Sequence, residues 1–151
     1  MKILAVDPGE KRIGLAISDP TGTISRPLDI IKHIARAKDA ARIVALAHEH
    51  GVQMIVVGWA LDSNGDVGYS ARKSERLAEV IREKCAIPVR MWDESGTTQA
   101  AIQSKIKMGT ARKKRSGHLD DVAASILLQD FLINNEAFIK ASEEKDDQES
   151  I

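Results

Sequence analysis

Residues 54–58 read Met-Ile-Val-Val-Gly, a run without a polar side chain, and such a run suits a central strand covered on both faces. The rest of the chain must then supply helices for both sides of a sheet. Upstream, Ile3 to Val6 form a short apolar strand stopped by Asp7-Pro8-Gly9. Residues 12–19 (RIGLAISD) alternate as a second strand, and Pro20 to Gly22 turn the chain toward a third over residues 23–31. The period changes over residues 35–50, where Ala40, Ile43, Val44 and Ala47 recur at helical spacing and Gly51 takes the usual C-terminal position. Beyond the apolar run come the polar loop 62–68 (DSNGDVG), a helix over 70–84, a strand over 87–92, a helix over 97–108 and a last helix over 119–133. Three antiparallel strands followed by helices and strands in alternation predict an α/β fold with a mixed five-stranded sheet flanked by helices.

The length of 151 residues suits one domain, expected over residues 1–133. The single cysteine, Cys85, can make neither an internal disulfide nor a structural zinc site, so the core alone must hold the fold. No apolar run approaches the roughly 20 residues of a membrane span, and the N-terminus enters a strand pattern directly, so a cytoplasmic protein is expected. The formal net charge of zero conceals a division. Residues 134–151 hold six acids and two bases and read as an acidic, frayed or disordered tail, which leaves the body mildly basic. Between Ser95 and Leu119 no acid occurs, while Lys105, Lys107, Arg112, Lys113, Lys114 and Arg115 all fall there. Such a concentration suits a phosphate-binding surface, although a solvated loop has the same composition.

Acidic residues at the ends of elements carry the chemical signal. Asp7 ends the first strand, and open α/β sheets bind ligands at the carboxyl edge, although Asp-Pro-Gly is also a good turn in its own right. Asp93 and Glu94 end the strand over 87–92; capping of the next segment would account for one of these acids and does not need both. Asp120 and Asp121 open the last helix. Asp120 shares the apolar face of Ala123, Ala124, Leu127, Leu128 and Phe131, where a carboxylate is costly unless it is paired or bound to a cation. Asp121 shares the side of Ser125 and Gln129 and can remain a solvated cap, which favours Asp120 as the functional acid. Three acids without a His or Cys cluster suit magnesium or manganese rather than zinc, and paired divalent ions align water and phosphodiester for in-line displacement.

These residues resemble the YqgF/RuvX family, described both as Holliday junction resolvases and as pre-16S rRNA nucleases with an RNase H-like fold. The resemblance rests on AVDPGEKRIGLAISD at 5–19, VVG at 56–58, DESGTT at 93–98 and LDDVAASILLQDFL at 119–132, and extends to about residue 133. It implies that Asp7, Glu94 and Asp120 form a catalytic metal site for Mg2+ or Mn2+. Two departures stand out: Ser95 replaces the arginine that usually follows the Asp-Glu pair, and Gly58-Trp59-Ala60-Leu61 replaces Gly-Leu-Pro-Leu. Loss of that arginine removes a bidentate phosphate donor. Lys11 and Arg12, just beyond Asp7, remain candidates for phosphate contact or for a solvated hairpin face. His118 is a secondary candidate, Trp59 and Trp92 read as rim packing before base-stacking platforms, and His33, His48 and His50 show no pairing pattern.

The expected activity is metal-dependent endonucleolytic hydrolysis of structured nucleic acid. Processing of the 5′ end of precursor 16S rRNA is implied by the resemblance, with ribosomal precursor particles as a partner and no membrane. The nearest alternative is a four-way DNA junction nuclease, whose two symmetric cuts need a homodimer where a monomer would serve for RNA. ATP binding of the actin and sugar-kinase kind would need two such domains. A non-catalytic RNA-binding factor would make the acids dispensable.

Overall fold

The computed structural model describes residues 1–60, 64–94 and 120–149, with side chains in the last stretch described for 122–145. Five strands, β1 (Ile3–Pro8), β2 (Arg12–Ser18), β3 (Ser25–Lys32), β4 (Met54–Trp59) and β5 (Val89–Asp93), form one sheet in the order β3-β2-β1-β4-β5. The first three are antiparallel, and β4 and β5 run parallel to β1. Among the described residues the helices are α1 (Arg36–Glu49), α2 (Tyr69–Lys84), α3 (Asp120–Asn134) and α4 (Glu136–Glu149). This is the mixed five-stranded α/β sheet expected from the sequence. The fifth strand starts at Val89 rather than Ile87 because Pro88 has no N–H to give the ladder, although its carbonyl accepts the Ile55 N–H at 2.9 Å. The helix expected over 97–108 lies outside the described residues.

Alternation along the strands divides the interior into two cores. Leu4, Val6, Ile13, Leu15, Ile17, Ile55, Val57 and Val89 face α1 and α2. Ile3, Ala5, Ala16, Met54 and Val56 face Ala124, Leu127, Leu128 and Phe131 of α3. The apolar run of β4 therefore feeds both cores. Small Ala5 and Ala16 let α3 lie close to the sheet.

The Ser125 and Gln129 side of α3, which Asp121 shares by helical spacing, is also buried. The polar atoms are used locally. Ser25 N–H donates to Gln129 Oε1 at 3.1 Å, Ser25 Oγ donates to the Ser125 carbonyl at 2.9 Å, and Gln129 Nε2 donates to the Thr23 carbonyl at 3.0 Å. These bonds tie α3 to the start of β3.

Where composition suggested a disordered tail, the structure has the helix α4. One apolar side chain anchors it in the core. Ile139 is 2% exposed within the α3 core and packs on Gly22, where an added Cβ would lie 2.7 Å from Ile139 Cγ2. Gly22 also has φ +70°, so both space and backbone call for glycine. The chain bends by 74° between α3 and α4, and Asn135 Nδ2 donates to the Phe131 carbonyl at 2.9 Å. Among the described residues no single helix is long and apolar enough to cross a membrane.

Candidate active site

The strand register assembles the site. Asp7 continues the alternation of Ile3 and Ala5, so it lies on the α3 face, directly opposite Gly14 of β2. On β4, Gly58 continues Met54 and Val56 on that same face and pairs with Trp92 of β5. Glu94 follows Trp92 by two residues, and its N–H donates to the Trp59 carbonyl at 2.9 Å, which extends the strand alternation past the end of β5. Glu94 therefore reaches over the α3 face, whereas Asp93, paired with Trp59, belongs to the face of α1 and α2. The alternation separates two acids that are adjacent in sequence.

Gly58 is the floor of this arrangement. A Cβ there would lie 2.4 Å from Glu94 Oε1 and 2.6 Å from Leu127 Cδ2, so the carboxyl group of Glu94 and the α3 side chain occupy the space that any side chain would need. The carboxyl groups of Asp7 and Glu94 are hydrogen-bonded to each other, which requires a proton between them. Burial raises the Glu94 pKa first; the Asp7 charge, the bond to Asp7 and the Asp93 charge raise it further, from 4.5 to about 8. Two acids held together in this way attract any cation able to replace the shared proton.

Asp120 is the first residue of α3, and its side chain lies outside the described residues. The helix crosses the sheet obliquely. Phe131 stacks edge-on against Trp92 with ring centroids 5.3 Å apart, Leu127 covers Gly58, and the Ser125 flank meets the start of β3. Trp92 Nε1 also donates to Asp130 Oδ2 at 2.8 Å, so Trp92 is a packing residue that fixes β5 to α3. Among the described residues no three His, Cys, Asp or Glu side chains converge as a metal cluster.

Lys11 and Arg12 are exposed on the tight β1–β2 turn, closed by the Gly9 N–H to the Arg12 carbonyl at 2.9 Å. A Cβ at Gly9 would meet that oxygen at 2.5 Å, which accounts for the glycine. Ser95, Lys105, Lys107, Arg112, Lys113, Lys114, Arg115 and His118 lie outside the described residues. Two features were not read from sequence. The sequence places Gly58 at the end of the apolar run and in the family motif without giving it a function, and its function as a floor requires the β4–β5 register. His33, given no partner, is bonded through Nδ1 to Asp39 Oδ2. The only sequence signal for this pair was an acid in the first turn of α1, six residues after the histidine.

A mixed sheet in this order, with helices on both faces and carboxylates at its carboxyl edge, defines an RNase H-like nuclease fold. The chain belongs to the RuvX family, described as Holliday junction resolvase, whose model matches residues 1–134. Its curated relatives carry the name "Putative pre-16S rRNA nuclease". One from Roseiflexus sp. (strain RS-1) is 39% identical over 87% of this chain and 93% of its own length, and one from Chloroflexus aurantiacus is 42% identical over 86% and 85%. Among solved structures, T. thermophilus RuvC in complex with Holliday junction substrate matches with a TM-score of 0.56 at 15% identity, covering 91% of this chain and 96% of that one. The fowlpox virus Holliday junction resolvase matches with a TM-score of 0.57 at 17% identity, covering 91% and 99%. The chain is a nuclease of this family.

Proposed function

We propose that the protein is a metal-dependent endonuclease that cuts structured RNA and processes the 5′ end of precursor 16S rRNA in the cytoplasm. Asp7, Glu94 and Asp120 are the ligands of Mg2+ or Mn2+ in this reading. The observation that carries it is the hydrogen-bonded Asp7–Glu94 carboxyl pair over Gly58. A carboxyl pair with oxygen donors only fits a hard divalent cation. When bound, that cation supplies an activated water and neutralises charge at the scissile phosphate. The protein's own contribution is positional. Gly58 and Leu127 fix the Glu94 carboxyl group, Asp7 approaches from the neighbouring strand, and Glu94 gives up its proton on ligation. Lys11 and Arg12, with the cations of residues 105–115, hold the nucleic-acid backbone. The names of the curated relatives support RNA as substrate.

The test is cleavage of labelled precursor 16S rRNA and of a four-way DNA junction by wild type and Asp7→Asn, with magnesium, manganese or chelator. We expect metal-dependent cutting of the RNA, reduced at least about 100-fold in Asp7→Asn, beyond the usual effect of an outer-shell partner. Preferential cutting of the junction would move the substrate to DNA. Binding without cleavage, unchanged in Asp7→Asn, would instead identify an RNA-binding factor.

A further inference from the structure

The corner between β3 and α1 carries charges with no function in the cleavage site. Lys32, His33, Arg36 and Lys38 are all exposed, with no acid among residues 30–38. The next residue, Asp39, is a carboxylate only 1% exposed. Its Oδ2 accepts from His33 Nδ1, and its Oδ1 accepts the Ile34 N–H at 3.1 Å. The acid of this corner is thus turned inward and held beneath the ring that it orients, so the corner shows its cations to solvent.

The corner is joined to the edge that carries Asp7. His33 N–H donates to the Lys11 carbonyl at 2.9 Å, and Arg42 Nη1 donates to the Lys32 carbonyl at 3.3 Å. Lys32 lies opposite Arg12 in the β2–β3 register. Alternation from Ala16 and Gly14 puts Arg12, and with it Lys32, on the face that carries Asp7. The cations therefore continue outward from the carboxyl pair, across β2 and β3 and over the sheet edge to Arg36, with the His33 ring exposed between Lys32 and Arg36. Two strand spacings, about 10 Å, separate β1 from β3. A nucleic-acid strand covers that distance in a few nucleotides. Glu10 is the one exposed acid on the intervening turn.

We propose that the β3–α1 corner, through Lys32, His33 and Arg36, is a phosphate-binding extension of the nuclease site that holds the substrate backbone a few nucleotides from the scissile bond. The proposal rests on the nuclease reading and adds a path for the substrate. Its contacts are to phosphate, so they set position and not sequence.

The experiment measures binding of a labelled stem-loop RNA and of a four-way DNA junction by the full chain, in chelator to suppress cutting, over a range of salt. The variants are Lys32→Glu/Arg36→Glu, its neutral counterpart Lys32→Gln/Arg36→Gln, and Lys140→Glu, which makes the same kind of charge change on α4. We expect the charge-reversed pair to weaken binding roughly 10-fold or more at physiological salt, with the log–log salt slope reduced by about 1 for each phosphate that is no longer neutralised. The neutral pair should follow with a smaller loss, and Lys140→Glu should bind within about 2-fold of wild type. In the cleavage assay the pair should raise KM at unchanged kcat, because its side chains bind substrate without touching the reacting atoms. Wild-type affinity and slope in the charge-reversed pair would overturn the corner and leave the nuclease reading intact. A loss in Lys140→Glu that is equal per unit of charge, half that of the doubly reversed pair on a logarithmic scale, would also overturn it, as an effect of overall charge. No binding of either nucleic acid by wild type would remove both readings.

Discussion

Asp19 and Glu94 lie at opposite edges of one sheet, and their surroundings act on them in opposite directions. Asp19 follows β2 at the edge where β1 begins, and donors surround it. Its Oδ1 accepts the N–H groups of Thr23 and Ile24, each at 2.8 Å, and its Oδ2 accepts the Thr21 N–H at 3.2 Å and the Thr21 hydroxyl. Partial burial would raise its pKa, but the bonds from Ile24, Thr21 and Thr23 prevail and hold it at about 2. Glu94 is buried against Asp7 and near Asp93, and is pushed up to about 8. The first edge is built to be stable as it stands. At the second, acids are held together at a cost to folding, an arrangement that makes sense where a cation is to be received.

Gly58→Ala is the strongest challenge to this contrast. Its methyl group would enter the space of Glu94 Oε1 and Leu127 Cδ2, so overpacking should cost about 1–3 kcal/mol. Cleavage should fall further than the stability loss explains, because displacement of about 1 Å at a reacting centre costs on the order of 100-fold. Denaturant melts alongside kcat at saturating metal separate the two losses. Full activity in a folded Gly58→Ala protein would remove Gly58 from the site.

A smaller effect lies in the pH dependence of the metal-free protein. Below pH 4.5 the Glu94 carboxyl group is protonated both folded and unfolded; between 4.5 and about 8 only the folded state keeps the proton. Stability should therefore fall as pH rises through that window, by at most about 1.4 kcal/mol per pH unit for one proton. Urea titrations at successive pH values should show the slope in wild type and its loss in Glu94→Gln. Added magnesium should stabilise wild type more at the upper end of the window, since binding displaces the proton.

Asp19→Ala tests the satisfied edge and should have the smallest consequence, about 1 kcal/mol of stability with cleavage unchanged. Its sign with pH is opposite to that of Glu94. The Asp19 contribution is present above pH 3.8 and is lost as pH falls through about 2, and its exposure to solvent keeps it modest. Acid melts of wild type and Asp19→Ala should converge at the low end.

The architecture was legible because apolar periodicity is a local property: MIVVG, RIGLAISD and the helix with Ala40, Ile43, Val44 and Ala47 each announce their element. Composition weighs every acid of the tail equally and so predicts disorder, whereas in the structure residues 136–149 are helical and Ile139 is buried. The His33–Asp39 pair depends on the bend from β3 into α1, which no spacing rule encodes. Of the adjacent pair Asp93 and Glu94, the residues alone do not select one; the family resemblance points to Glu94, and the β4–β5 register puts Glu94 on the face of Asp7 and Asp93 on the other.

That register also limits which lengths of chain this protein can accept. Since Asp93 and Glu94 face opposite sides, losing or gaining a single residue in the link from α2 to β5, with the β4–β5 pairing shifted to match, would exchange the faces they occupy. The shorter carboxylate would then lie on the face of Gly58 and the longer one would turn toward α1 and α2. Natural variation in that link should therefore either preserve the strand phase or be absorbed before Pro88, and an alignment of related chains could be read for spacing as well as for residue identity.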